Sequence, residues 1–225
     1  RLLDKKKDLI YEQLMGELEP KGIRIINFNR LSQEEGKLLE KYFEHEIAPY
    51  LSATIVSKQQ PFPFLKNKDI YAVAWLQSKD KKRRIAIIPC SNNVFKRLID
   101  IPTRKGTFML SEELILHFLP QMFKNYEVVQ KSLLRVTRNA DIDTETIYDE
   151  DMGYREAMEQ LIRQRKRMNP VRVEISRDLD KKLINSLCKH LSVEKSHVFL
   201  SMVPLDMSFV FAIQNYLKET HKDNL

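Results

Sequence analysis

The sequence has 225 residues, of which 43% are hydrophobic and 31% charged. That is enough apolar content for a sizeable core, with more charge than the ~25% usual in soluble domains. Lys and Arg number 38 against 31 Asp and Glu, a formal charge of +7, which favours an anionic partner by bulk electrostatics and equally suits an ordinary basic surface. Gly16, Gly22, Gly36, Gly106 and Gly153 are too widely spaced for a G-x-G-x-x-G loop, a P-loop or a G-x-S-x-G elbow.

In chain order, Leu2, Leu3, Leu9, Ile10, Leu14 and Leu18 fall near helical spacing, so residues 2–19 read as an amphipathic helix ended by Pro20 and Gly22. Ile23–Asn27 is a short β-like run. Ser32-Gln33-Glu34-Glu35 is a capping box opening a helix that carries Leu38, Leu39, Tyr42, Phe43 and Ile47 on one face and stops near Pro49. Asp69–Gln77 and Arg84–Pro89 are β-like, and the charged turn at residues 78–82 between them predicts a hairpin. Tyr126–Arg138 reads as a long strand or strand pair. Helical periodicity returns at Tyr154–Met168, Leu179–Leu191 and Ser208–Leu217, with β-like runs at Val171–Ile175 and His197–Leu200. The expected architecture is α+β: a mixed sheet with packed helices, one domain preceded by an amphipathic helix.

Cys90 and Cys188 have no partner at metal-ligand spacing and are too few for a disulfide framework, so they read as free, buried thiols in a reducing cytosol. The apolar runs Ile85–Ile88 and Phe209–Ile213 fall far below the ~18 residues that span a bilayer. The N-terminal R-L-L-D-K-K-K-D lacks an apolar targeting region. The expectation is a soluble, cytoplasmic chain, and Arg1 in place of an initiator Met reads as the start of a fragment.

The basic turn Lys79, Lys81, Lys82, Arg83 and Arg84, and the run Arg163–Arg167, could meet phosphates but also suit solvated faces and a helix C-terminus. None of His45, His117, His190, His197 and His221 stands in a metal or catalytic motif. The acidic run from Asp141 to Asp151 lacks EF-hand spacing and reads as a connector. The segment Leu133–Asp141 is more informative. In a strand, Arg135 and Thr137 share one face, while Arg138 and Asn139 follow at its end. Arginines with Thr and Asn donors suit an oxyanion or phosphate cradle; an arginine paired internally to acids such as Asp141 is the equal alternative.

R-V-T-R-N-A-D (Arg135–Asp141) resembles a signature of the larger, histidine-phosphorylating polyphosphate kinases. So do Q-P-F-P-F (Gln60–Phe64), Y-F-E-H-E-I-A-P-Y-L (Tyr42–Leu51), F-M-L-S-E-E-L-I (Phe108–Ile115) and P-L-D-M (Pro204–Met207), in the family's order. Gln60 stands where the family usually has His, which argues against an essential acid–base role there. The resemblance implies that residues 23–225 form the middle, or head, domain and residues 1–22 the last helix of the N-terminal domain. It implies a parent that moves the terminal phosphate of ATP onto polyphosphate with Mg²⁺ through a phosphohistidine. The nucleotide, metal and phosphohistidine residues belong to other domains, so neither a catalytic residue nor a cofactor is expected in this chain. The head domain's implied share is homodimerisation and the wall of the active-site tunnel, with Arg135, Thr137, Arg138 and Asn139 facing polyphosphate. The rival readings are a stand-alone basic module binding polyphosphate or nucleic acid, and a pure dimerisation scaffold. Nucleic acid is disfavoured because aromatic residues are not interleaved with the basic runs.

Overall fold

The computed structural model describes residues 2–138, 153, 155, 158–159 and 169–221. Helix α1 (Leu2–Leu18) gives way at Pro20 to a tight turn, and Gly22, at φ +75°, donates its N–H to Glu19 O at 3.0 Å. This left-handed stop is the conformation glycine adopts without steric cost. Tyr11, Leu14, Met15 and Leu18 turn inward, whereas Leu9 and Ile10 are 65% and 61% exposed. The apolar residues of α1 therefore do not form the single buried stripe that their spacing suggests. Charge also holds the helix down: Asp4 pairs with Arg172, while Lys7 Nζ lies 3.4 Å from Glu174 Oε1 and donates to Leu205 O at 3.1 Å.

Helix α2 (Gln33–Tyr42) opens with the expected box: Ser32 Oγ accepts from Glu35 N at 3.2 Å and Ser32 N donates to Glu35 Oε2 at 2.7 Å. It runs on through a wider turn at Phe43–Ile47. Leu39, Phe43 and Ile47 are buried at fourfold spacing, but Leu38 is 44% exposed and falls off the face assigned to it. Glu35 serves twice. The Arg104 guanidinium donates to both its oxygens, at 2.8 and 2.7 Å, and Thr103 Oγ1 donates as well. The hydrogen bonds from Thr103 and Ser32, with Arg104, lower its pKa from 4.5 to about 2. A pKa depressed by folding contributes stability that is complete above the unfolded value and disappears as pH falls toward the folded one. Glu35→Gln is therefore expected to lower the urea midpoint more at pH 7 than at pH 3. An equal loss at both would show that the carboxylate's charge is immaterial.

Two sheets form the body. The larger has the order β2 (Thr54–Ile55), β4 (Arg83–Pro89), β3 (Ile70–Gln77), β7 (Glu127–Arg138), β8 (Pro170–Ile175), β9 (Val198–Leu200). All its pairs are antiparallel except β8 with β9. The smaller sheet is β1 (Arg24–Ile25), β6 (Thr107–Leu110), β5 (Leu98–Asp100), with β1 and β6 parallel. The mixed α+β expectation holds, as does the β3–β4 hairpin. Strand β3 is buried on both faces: Ile70, Ala72, Ala74 and Leu76 join one core with Leu39, Phe43 and Ile115, while Tyr71 and Val73 join another.

The second core is closed by α4 (Lys181–Leu191), capped by Asp180, whose Oδ1 accepts from Lys182 N at 2.6 Å. Leu183, Leu187 and Leu191 pack there on Val73, Ile87 and Val173. Helix α3 (Ser111–Phe118) follows β6 without an intervening loop, and α5 (Phe209–His221) packs Phe209 and Ile213 beside α1 and β6. Cys90 and Cys188 are free and buried. Among the described residues no helix is long and apolar enough to cross a membrane. Of the predicted helix at 154–168 only residues 155 and 158–159 are described, and these are helical; the basic run at 163–167, the acidic run at 141–151 and residues 222–225 lie outside the described residues.

Candidate anion-binding cleft

Four segments far apart in sequence meet at one end of the large sheet. They are the Lys66–Lys68 turn leading into β3, Arg135 on β7, the residues Ser91–Arg97 between the sheets, and Asp206 ahead of α5. Together with Ser111 and Glu112 of α3 they line a cleft of about 690 Å³. Its floor is a charge cluster. Arg97 Nε lies 3.1 Å from Glu112 Oε1 and 3.2 Å from Oε2, while Nη2 reaches Oε1 at 2.6 Å. The same guanidinium reaches Asp206 Oδ2 at 2.5 Å and Asp206 O at 2.8 Å. Burial pushes the Asp206 carboxyl up, but Ser208 and Arg97 outweigh it and hold the pKa below its ordinary value.

Arg135 continues the cluster. Its Nε donates to Lys68 O at 2.9 Å, Nη1 to Leu205 O at 2.8 Å and Nη2 to Asp206 Oδ1 at 3.5 Å, with Glu174 Oε2 at 3.8 Å from Nη1. These bonds fix the guanidinium rather than leave it free to follow a ligand. They also fix the turn beside it, where Lys68 sits at φ +65°, sparsely populated for a side chain of its kind. Its N–H donates to Val136 O at 2.8 Å, so β7 grips that residue from both backbone groups. Lys66 and Lys68 themselves are exposed and carry no ion pair among the described residues. Among the described residues they are the cleft's available cations, and Asn93 adds an amide.

Of the described residues expected to face polyphosphate, Arg135 lines this cleft and Thr137 and Arg138 do not. Thr137 shares its face by alternation but lies farther along β7, opposite Arg172. Arg138 belongs to the other face with Leu134 and Val136. There it donates from Nε and Nη2 to Leu65 O at 3.2 and 3.0 Å, with its guanidinium carbon 4.4 Å from the centroid of the Phe64 ring. Asn139 lies outside the described residues. The two arginines thus grip the 64–68 segment from opposite sides of one strand, and the R-V-T-R and Q-P-F-P-F segments are neighbours in space. Lys66, Lys68 and Arg97 carry no signal of their own in the sequence. Asp206 sits within P-L-D-M, and only its role was hidden.

Three of the histidines and part of the basic turn make contacts of their own. His117 stacks on Phe28 with ring centroids 3.4 Å apart, His190 on Phe62 at 4.7 Å, and His45 Nδ1 lies 2.8 Å from Lys41 O. In the basic hairpin tip, Lys82 pairs with Asp80 at 3.0 Å and Arg83 lies over Trp75. Among the described residues no group of three or more His, Cys, Asp or Glu could hold a metal ion.

Fold and cleft together define a two-sheet α+β domain that gathers charged segments from distant parts of the chain. A family model, the polyphosphate kinase middle domain, matches residues 34–213, and the chain belongs to that family. It is 32% identical over 220 residues to the polyphosphate kinase of Halalkalibacterium halodurans, and 30% identical over 227 residues to that of Mycobacterium leprae. Each match covers 94% of this chain and 30% of the relative, so the chain spans less than a third of the length of these relatives. Its fold is similar to the crystal structure of the polyphosphate kinase from Porphyromonas gingivalis. The TM-score is 0.68 at 18% identity, covering 90% of this chain and 29% of that one.

Proposed function

We propose that the chain works as the head domain of a cytoplasmic polyphosphate kinase that transfers the terminal phosphate of ATP to polyphosphate through a phosphohistidine. In this reading residues 23–225 are the head domain and residues 1–22 the end of a preceding one. The chain lines the polyphosphate path and contributes to a homodimer. ATP, Mg²⁺ and the phosphohistidine are held by the remaining domains of the same polypeptide, so the chain alone is inactive. The observation that carries this reading is the cleft itself. Segments that resemble family signatures converge there, and two exposed lysines, without an ion pair among the described residues, line it beside a rigid Arg–carboxylate floor.

Phosphoryl transfer depends mostly on positioning and charge stabilisation. A wall can therefore matter to chain handling without touching the reacting phosphorus. Lys66 and Lys68 are the groups that meet the polyanion, Arg135 is the positioning group behind them, and Arg138 at the end of β7 holds the adjoining segment in place. The test is Lys66→Gln/Lys68→Gln in the full-length enzyme. Polyphosphate affinity is expected to fall and its salt slope to drop by about 2, one per phosphate contact, with the KM for ATP unchanged. Unaltered polyphosphate affinity and salt slope would remove the cleft from the path.

A further inference from the structure

A second cavity, of about 530 Å³, shares Glu112 with the cleft and lies between α1, α3, β7 and the residues Ser201–Leu205. That volume is within the range of small-molecule sites, which combine an apolar lining with a few placed polar groups. One wall is apolar, built from Ile25, Leu110, Leu116, Leu133 and Val203. The charged groups in the lining are unequally matched. Glu113 is taken up by Arg177, whose Nη1 and Nη2 lie 3.2 and 2.5 Å from its two oxygens, and Glu112 is taken up by Arg97. Lys131 is left over: its ammonium donates to His117 O at 3.1 Å and meets no carboxylate among the described residues.

Lys131 is half-buried, so its charge is partly stripped of water and compensated only by a carbonyl. A charge in that position is stabilised by any anion that reaches it. Burial and the neighbouring Arg177 both push its pKa down, the direction expected of an ammonium lacking a counter-ion. Two of its three N–H donors remain to offer. The side-chain amides of Asn27 and Asn29, also in the lining, have no hydrogen-bond partner among the described residues and add neutral donors.

We infer that this cavity binds a small organic phosphate, its anionic head on Lys131 and its apolar body against Ile25, Leu110 and Leu133. The site is separate from the polyphosphate path proposed above and does not depend on it. An apolar body distinguishes its ligand from polyphosphate, which has none.

The test uses phenyl phosphate as the anionic probe and benzyl alcohol as its neutral counterpart, titrated calorimetrically into the 225-residue chain. Phenyl phosphate is expected to bind at one saturable site, and Lys131→Gln to weaken it about tenfold or more, as loss of a charged hydrogen bond requires. Asn27→Asp, an exposed change that places a negative charge on the wall, is expected to weaken it too, with thermal unfolding midpoints confirming that both variants fold. Benzyl alcohol should be indifferent to either change. Lys66→Gln/Lys68→Gln should leave phenyl phosphate binding unaltered. Absence of saturable binding, equal affinity in Lys131→Gln, or loss confined to the Lys66/Lys68 variant would each overturn the cavity site; the first two leave the polyphosphate path untouched, and the third would put the anion in the cleft instead.

Discussion

Arg97→Met is expected to destabilise the fold by about 3–5 kcal/mol, the range for removing one partner of a buried ion pair. The reason lies in what stays behind. The Glu112 side chain is 4% exposed, and Arg97 is its ion-pair partner among the described residues. Without the guanidinium, Glu112 is a desolvated charge, and Asp206 loses both an ion pair and the donor to its carbonyl. The methylene stem of Met retains part of the packing on Phe209, whose ring centroid lies 5.8 Å from the guanidinium carbon, so the loss reports charge more than volume. Urea denaturation measures it. The double variant Arg97→Met/Glu112→Leu is the informative control, since exchanging a buried pair for apolar groups is often close to neutral, and much of the lost stability should return. A single-variant loss below about 1 kcal/mol, typical of exposed pairs, would show that the cluster is solvated.

Gly106→Ala should be at least as damaging. Gly106 sits at φ +76°, and a β-carbon there would lie 2.2 Å from Gly22 O, far inside any tolerated contact. The obstacle is backbone, in a glycine that is itself left-handed and closes the turn after α1, so no rotamer change relieves it. Gly106 O also accepts from Arg24 N at 2.9 Å at the start of the β1–β6 pairing. Backbone displacement there would propagate into the smaller sheet. A loss above about 3 kcal/mol is expected, combining left-handed strain with overpacking. Gly16→Ala supplies the contrast. It lies within α1 with nothing within 4 Å of a β-carbon, and alanine there should stabilise by about 0.5–1 kcal/mol. If both variants melt like the parent, the Gly22–Gly106 approach is not a constraint on the fold.

What the sequence discloses depends on how local the signal is. The β3–β4 hairpin declares itself through two apolar runs around a charged turn, and α2 through a box whose two halves are only three residues apart. By contrast, β6 is buried throughout, α3 is buried at most of its positions and follows β6 directly, so the stretch around residues 107–118 shows neither a clean alternation nor a polar helix face. The outward Leu9 and Ile10 misled for a related reason: counting apolar residues along α1 cannot tell which side faces α5. For the cleft the limit is distance. Arg97 and Asp206 stand 109 residues apart, and nothing near either announces the other. Arg135 and Arg138 looked like neighbours because they are close in sequence, yet strand alternation sends them to opposite faces.

The carbonyl of Leu205 receives both Lys7 of α1, at 3.1 Å, and Arg135 of the cleft, at 2.8 Å. Glu174, with its side chain 6% exposed, likewise has Lys7, Arg135 and Arg172 around it. Peeling α1 away would remove a cation from a buried carboxylate and a donor from a shared acceptor in the same motion. Helix and cleft floor are thereby joined in one cooperative unit of local unfolding. Amide hydrogens in α1 and in β7 near Arg135 should then exchange through a common opening, so that loosening the first residues of the chain is felt at the cleft.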